Sequence, residues 1–475
     1  MTRSLRSLAA ATILLPASLA AQDAAPTPPA VPQVDPVELP AAEVPGETAP
    51  AATGKAQSGP DQHLLPASPE RELGAPMWPV EPVEQIPFWQ VADVEELLSY
   101  IDTIDTLGLD AADYDRAAVD AAIAAGDYDA MSVAATELFE KLARDLALGH
   151  VGQDGRVDWH IKDTDFAEDG SLRGYTAQAI ASASITNSLD QLAPTHPQYA
   201  ALVNALEAER AKGDAADAEK IADIRLNLDR WRWLPRDLGD RYIIVNVPAY
   251  TAALVEDGVT KSRHRAVAGA KRTPTPQLMA EATGVIFNPY WNVPKSIEPE
   301  IRGKGGYEAV KDADGNVVRW RQPPGPTNAL GRVKFVMYNP HLIYLHDTNA
   351  RGLFDTEARA YSHGCIRTEN ILGLATMLLE EDGGDWSAQK TVDVVNSGEN
   401  TGAKFVNPIP VYIVYMSVAA KGDGSILAYE DIYDRDGQVL QALNDAGTVP
   451  MPGAEEIEQA ADPLAPLGEE VASAN

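Results

Sequence analysis

The chain has 475 residues, more than one hydrophobic core usually organises, so we expect two domains with terminal extensions. Its 38 basic and 70 acidic side chains give a formal net charge of −32, which argues against nucleic acid or anionic lipid as the main partner. The single cysteine excludes an internal disulfide and a four-cysteine zinc site.

The first residues predict export. Arg3 and Arg6 precede an apolar run from Leu8 to Leu19, and small residues follow at a cleavage position. This is the layout of a secretory signal peptide over residues 1–21, and the run is too short to span a bilayer. The alternative is an uncleaved N-terminal anchor. We expect a mature chain in the periplasm with no transmembrane segment.

Two segments have compositions typical of disorder. Residues 22–82 are rich in Ala, Pro and acids and lack the branched and aromatic residues that offset ordering entropy, which predicts a tether. Residues 448–475 form an acidic tail without a basic residue. Both segments account for much of the net charge, so the charge says little about the folded part.

The folded part divides into two regions with different residue patterns. Residues 83–238 carry apolar side chains at helical spacing, such as Val94, Leu97, Leu98 and Ile101, and predict an all-α domain. From residue 239 to 435 strand patterns dominate, beginning with the run from Tyr242 to Pro248, and a helix is predicted from Ile371 to Leu379. A Pro/Gly/charge-rich insertion at 293–330 reads as a structureless lid, with a surface loop as the alternative.

The single cysteine lies among reactive side chains. His363 and Gly364 precede Cys365, and Arg367 follows it. We expect a helix beginning near Thr368 whose N-terminus, together with nearby cations, lowers the pKa of the thiol. Gly364 permits a sharp turn in which the amides of residues 364 and 365 face a developing oxyanion. The alternative is a buried structural cysteine.

A nucleophilic cysteine needs a base, and His346 at a predicted strand end is the candidate. Asp347 or a backbone carbonyl would orient its imidazole. His363 competes for the same role, but residues two apart on an extended stretch do not point at one another. We therefore assign the base to His346, and orientation or pKa tuning to His363.

The motif Ser362-His-Gly-Cys-Ile-Arg367, with His346-Asp-Thr348 upstream, resembles the signature of the L,D-transpeptidase (YkuD-type) catalytic domain. The blocks at 288–294, 324–332 and 343–348 resemble the large periplasmic YcbB-type members, and the helical region resembles their scaffold domain. The resemblance implies an α+β multidomain fold, with an all-α scaffold at 83–238 and a YkuD-like β-sandwich at 239–435. It also implies that residues 293–330 cap the substrate.

By this resemblance the protein is a peptidoglycan enzyme that needs no cofactor or metal. Cys365 attacks residue three of a tetrapeptide stem, D-alanine leaves, and a neighbouring stem amine completes a 3→3 cross-link. Carbapenems would acylate Cys365. The stems are donor and acceptor, and cell-wall synthesis proteins are further partners. Residues that match substrate-binding positions are Arg367, Tyr344, Trp291 and Ser362.

Other outcomes use the same residues. Hydrolysis instead of transfer gives an L,D-carboxypeptidase, and a different amine acceptor gives lipoprotein attachment. A non-catalytic wall-binding scaffold is the alternative from another class. Large YcbB-type members usually carry an inserted peptidoglycan-binding module, and the stretch from Thr195 to Asn227 is too short to hold one.

Overall fold

The computed structural model describes residues 85–162, 171–421 and 424–445. The predicted signal peptide, the tether and the acidic tail lie outside these residues. No helix within these ranges has both the length and the apolar character that crossing a membrane requires.

The N-terminal part of the described chain is helical, as predicted. The long helix α3 begins where the Asp127 carboxylate accepts a hydrogen bond from the Ala130 amide, and it ends at Gly149, whose φ is 95°. The helices are α1 (Val91–Ile101), α2 (Ala117–Ala125), α3 (Tyr128–Leu148), α4 (Ser171–Ala181), α5 (Ile185–Asp190), α6 (Pro197–Arg210) and α7 (Ala218–Arg232). A two-residue strand, β1 (Trp159–His160), lies between α3 and α4.

The second part is mostly β, again as predicted. The strands that form its main sheet are β2 (Arg241–Asn246), β3 (Thr251–Glu256), β4 (Val259–Gly269), β5 (Gln277–Phe287), β9 (Val333–Met337), β10 (Leu345–His346), β11 (Ala360–Ser362), β12 (Ile366–Thr368) and β13 (Thr401–Val414). The hydrogen-bonded path runs β5-β13-β2-β3-β4-β12-β10-β9, and β9 also pairs with β5, so the path closes on itself. β11 attaches to β4 beside this ring, and β1 joins it in parallel with β5.

The predicted lid is not structureless. It holds a three-stranded sheet of β6 (Trp291–Asn292), β7 (Glu308–Lys311) and β8 (Val317–Gln322), with the short helix α8 (Glu298–Ile301). Val293, Ile297 and Ile301 form its small apolar cluster. The expectation of a structureless insertion is therefore wrong, because alternating residues such as those of β8 build a sheet despite their charges.

Three apolar clusters organise the rest. One fills the ring of strands and is covered by α9 (Ile371–Glu381), while α10 (Ala388–Ser397) follows α9. A second belongs to the helical domain. The third is shared, because α6 and α7 pack against Tyr412, Val414 and the hairpin of β14 (Val418–Ala420) and β15 (Ile426–Ala428). A last helix, α11 (Asp436–Asp445), joins this shared cluster through Val439 and Leu443.

Candidate active site

Cys365 lies at the end of a tight turn between β11 and β12, which we call the catalytic turn (residues 362–365). The Ser362 hydroxyl is buried, donates to the Cys365 carbonyl at 2.5 Å and accepts from the Gly364 amide at 3.1 Å. Gly364 has a φ of 108°, and a Cβ there would meet the Ile343 side chain at 3.0 Å. Glycine therefore fits this position on both grounds.

These contacts change two predicted roles. Ser362 matches a substrate-binding position, yet its hydroxyl is used within the turn, so it positions Cys365. The Gly364 amide already donates to Ser362. The Cys365 amide, rather than both amides, is therefore left for a developing oxyanion.

The catalytic turn rests on a residue that sequence reasoning missed. Thr275 is fully buried in the connection between β4 and β5. Its hydroxyl donates to the Gly364 carbonyl at 2.7 Å and accepts from the Gly269 amide at 2.9 Å. Thr273 adds a bond to the Ser362 carbonyl at 3.0 Å. The run Thr273-Pro-Thr-Pro276 between two strands is the only signal in the sequence for this support.

The environment of Cys365 differs from the expected one. β12, not a helix, follows the turn, and α9 begins only at Ile371, so the predicted helix N-terminus at Thr368 is wrong. Burial raises the pKa of the Cys365 thiol, against the smaller lowering effects of the Tyr344 amide, Lys334 and Arg367. The thiol donates to the Leu342 carbonyl at 3.6 Å. The resting group is thus a thiol held against the chain that leads into β10.

His346 lies on the neighbouring strand in a form suited to accept a proton. Its Nδ1 bonds the Asp347 carbonyl at 2.5 Å; an N–H must donate to a carbonyl, so the neutral ring carries its proton on Nδ1 and leaves Nε2 as the acceptor. Burial, with help from Arg367 and Lys334, lowers the pKa of His346 to about 3. The Asp347 carboxylate instead accepts from the Arg332 amide and pairs with Arg351. Of the two predicted orienting groups, the backbone carbonyl takes the role.

Strand register places His346 beside two cations that also act on Cys365. His346 pairs with Arg367 of β12 and with Lys334 of β9, so these three side chains form a row across three strands. Cys365 lies in the turn two residues before Arg367, and Arg367 and Lys334 act on the pKa values of both Cys365 and His346. Among the described residues no hydrogen bond joins Cys365 to His346, as is common before substrate binds.

Lys334 is the second residue that sequence reasoning missed. It is only 5% exposed, and its ammonium lies 5.3 Å from the centre of the Tyr344 ring. Buried lysine is rare in proteins. Tyr344, predicted to line the active site, thus packs between this ammonium and the core of the ring of strands.

The lid reaches the catalytic turn through His363. The Nε2 atom of His363 lies 3.0 Å from a carboxylate oxygen of Glu300 in α8. His363 lowers the pKa of Glu300, and Arg272 and Lys304 add to this effect. Trp291, the other predicted cavity residue, packs with Tyr307 and the apolar cluster of the lid. Within the part of the chain that the structure describes, no group of three ligating side chains is arranged to hold a metal ion.

Arg367, predicted to bind substrate, is half-buried beside Cys365. No salt bridge to it is seen among the described residues, and its buried Nε atom has no partner there. Its charge instead acts on the pKa values of Cys365 and His346. Arg367 therefore provides positive charge at the site rather than an internal ion pair.

Comparison with known families identifies both parts of the chain. Residues 240–406 match the L,D-transpeptidase catalytic domain model, YkuD, and residues 84–206 match the scaffold domain model. The chain therefore carries a YkuD-type L,D-transpeptidase catalytic domain behind a scaffold domain, which is the YcbB-type architecture.

Among individual proteins, a putative L,D-transpeptidase of Haemophilus influenzae is 32% identical over 242 residues, covering 46% of this chain and 48% of that relative. The chain thus spans about half the length of this curated relative. Two solved structures show weaker likeness. A mutant L,D-transpeptidase of Enterococcus faecium is 14% identical, with a TM-score of 0.21, over 38% of this chain and 52% of its own. An L,D-transpeptidase of Mycobacterium smegmatis is 14% identical, with a TM-score of 0.20, over 37% and 58%.

Proposed function

We propose that the protein is an exported cysteine L,D-transpeptidase that forms 3→3 cross-links between peptidoglycan stems. The observation that carries the proposal is that Cys365 and a neutral His346 lie beside the same two cations, Arg367 and Lys334. The signal-peptide pattern at residues 1–21 supports a periplasmic location, where the substrate lies.

Acylation begins with proton transfer. His346 accepts the thiol proton on Nε2, and the Cys365 sulfur attacks the carbonyl carbon of stem residue three. The Cys365 amide stabilises the oxyanion, and Arg367 and Lys334 add positive charge nearby. His346 then gives its proton to the leaving nitrogen, so D-alanine departs with a neutral amine and a thioester remains.

The Cys365 thiol and the His346 imidazole are both neutral in the empty site. Bound substrate must therefore favour transfer of the thiol proton to the imidazole before the sulfur can attack. The raised thiol pKa and the lowered imidazole pKa disfavour a thiolate–imidazolium pair in the empty site. Bound substrate excludes water and brings the carbonyl to the sulfur, which strengthens the field of the nearby cations. An empty enzyme is thereby protected from oxidation of its only thiol.

The lid contact supports transfer over hydrolysis. Glu300 holds α8 against His363, next to the sulfur that carries the acyl group. A lid in this position limits water at the thioester. An L,D-carboxypeptidase would differ only in admitting water to the thioester.

The test is muropeptide analysis after incubating the purified protein with tetrapeptide-bearing sacculi. We expect 3→3 dimers from the wild type and none from Cys365→Ala. His346→Ala should lower turnover by about 10²–10⁴-fold as loss of a general base. A tripeptide product without dimer would show that the enzyme is an L,D-carboxypeptidase. Unchanged sacculi would favour the non-catalytic wall-binding scaffold. Mass spectrometry with a carbapenem should find one adduct, on Cys365.

A further inference from the structure

A cleft of about 250 Å³ opens beside the catalytic turn and is not used in the acylation step above. The catalytic turn supplies His363 and Gly364 to its wall. The loop before β10 supplies His341 and Ile343, and the scaffold domain supplies Asp158. No residue of the lid lines it among the described residues. The cleft and the lid therefore adjoin His363 through different sets of residues.

Asp158 is held rigidly at this cleft by bonds to the catalytic domain. The Gln277 amide donates to the Asp158 carbonyl at 3.0 Å, and β1, which follows directly, pairs with β5. The Asp158 carboxylate pairs with Arg435 and lies 3.0 Å from the Nε2 atom of His160. Its φ of 53° is unusual for a residue other than glycine. The Asp158 carboxylate of the scaffold domain is thus fixed at a cleft that the catalytic turn also lines.

The chemistry of the cleft fits a cationic amine. The two oxygens of a carboxylate offer about four acceptor positions, so Asp158 can accept further hydrogen bonds besides those of Arg435 and His160. Its side chain is 30% exposed. His341 stacks on His160 with ring centres 4.2 Å apart. Burial and the neighbouring His160 lower the pKa of His341, so it is a neutral hydrogen-bond acceptor at neutral pH.

Transfer needs a second route to the thioester, because the first stem stays attached to Cys365 beneath the lid. We propose that this cleft binds the acceptor stem by its side-chain ammonium, and that Asp158 of the scaffold domain is a specificity-determining residue for the acceptor. The inference rests on the proposed transpeptidase function and deepens it.

The bound ammonium loses one proton to solvent and becomes a nucleophilic amine. Its nitrogen attacks the thioester carbon, the C–N bond forms and the C–S bond breaks. The second proton passes from nitrogen through His346 to the departing sulfur. The products are an amide and the Cys365 thiol.

The experiment separates the two half-reactions in the full chain. Acylation by a tetrapeptide donor is followed by intact mass spectrometry, and dimer formation is measured against the concentration of a stem peptide with a free side-chain amine. Asp158→Asn and His341→Ala are compared with Asp385→Asn, an exposed carboxylate in the α9–α10 connection that does not line the cleft. Thermal unfolding checks that each variant is folded.

We expect Asp158→Asn to raise the acceptor KM about tenfold, as for one lost charged hydrogen bond, with more effect on transfer than on acylation. His341→Ala should change the acceptor KM in the same direction, and Asp385→Asn should not. An unchanged acceptor KM in both cleft variants, with wild-type dimers present, overturns the inference alone. Because His341→Ala leaves the Asp158–Arg435 pair intact, it decides the matter if Asp158→Asn does not fold. A wild type that forms no dimer refutes the proposed function as well.

Discussion

His346 should make the protein sensitive to acid in a way that one substitution removes. Its pKa is about 3 in the folded chain against an ordinary value of 6.5. Between these values the unfolded chain binds a proton that the folded chain excludes. His346 therefore imposes no proton-linked penalty on folding above pH 6.5, and the folded state loses stability as the pH falls toward 3.

The size of the effect follows from the shift. One proton changes the free energy of unfolding by about 1.4 kcal/mol per pH unit, so lowering the pKa from 6.5 to about 3 amounts to about 5 kcal/mol. Between pH 6.5 and 4.5 the loss is about 3 kcal/mol. That is a large fraction of the 5–15 kcal/mol that stabilises a typical domain.

The perturbation is His346→Asn, whose side-chain amide can still donate to the Asp347 carbonyl. Urea unfolding at pH 7, 6, 5 and 4 measures the free energy of unfolding of both proteins. Below pH 6.5 the wild type should lose about 1.4 kcal/mol per pH unit relative to the variant. His196→Asn in the scaffold domain is a positive control, because burial lowers the pKa of His196 to about 4 and the same slope is expected above that pH.

Parallel stability curves for the wild type and His346→Asn would refute the reasoning. They would mean that His346 binds its proton equally in both states, and the neutral base of the mechanism would lose its support. A difference confined to pH below 4 would have the same consequence.

Three further outcomes test other contacts. Thr275→Val should destabilise the fold by about 2–5 kcal/mol in urea unfolding, since it orphans two buried backbone groups; a loss under 1 kcal/mol would contradict its supporting role. Lys334→Met should move the pH midpoint of iodoacetamide alkylation of Cys365 upward, because a cation that lowers the thiol pKa is gone; a downward move would refute this. Glu300→Gln should raise the ratio of hydrolysis to transfer by weakening the contact with His363, and an unchanged ratio would remove the lid from that role.

The elements that sequence predicted best are those with a continuous apolar run. β2 and α9 are of this kind, and their buried residues coincide with the pattern. β4 has no such run, because its first half, Val259 to Arg263, is mostly exposed and partly charged and is held in the sheet by pairing with β3. β12 is three residues long, too short for any period to be read, and a helix was expected there instead.

Some features of the active site could likewise be predicted from the sequence, and others could not. Cys365 and His346 stand in a motif, so their identity could be read from the sequence. The raised thiol pKa could not, because burial outweighs the neighbouring cations and burial is a property of the fold. Thr275, Lys334 and Glu300 reach the site from distant parts of the chain, through a buried hydroxyl, a strand register and a lid contact.

The scaffold domain is built into the catalytic domain rather than attached to it. The Arg230 guanidinium of α7 donates to the Ser417 hydroxyl at 3.1 Å and pairs with Asp436 at 2.7 Å, and Gln198 exchanges two hydrogen bonds with Ala420. These polar contacts surround an apolar cluster to which both domains contribute. Since Asp158 is held to β5 beside that cluster, the scaffold sets the position of a carboxylate near the catalytic turn. On the proposal that the cleft binds the acceptor stem, the scaffold domain would complete the site where the second substrate arrives.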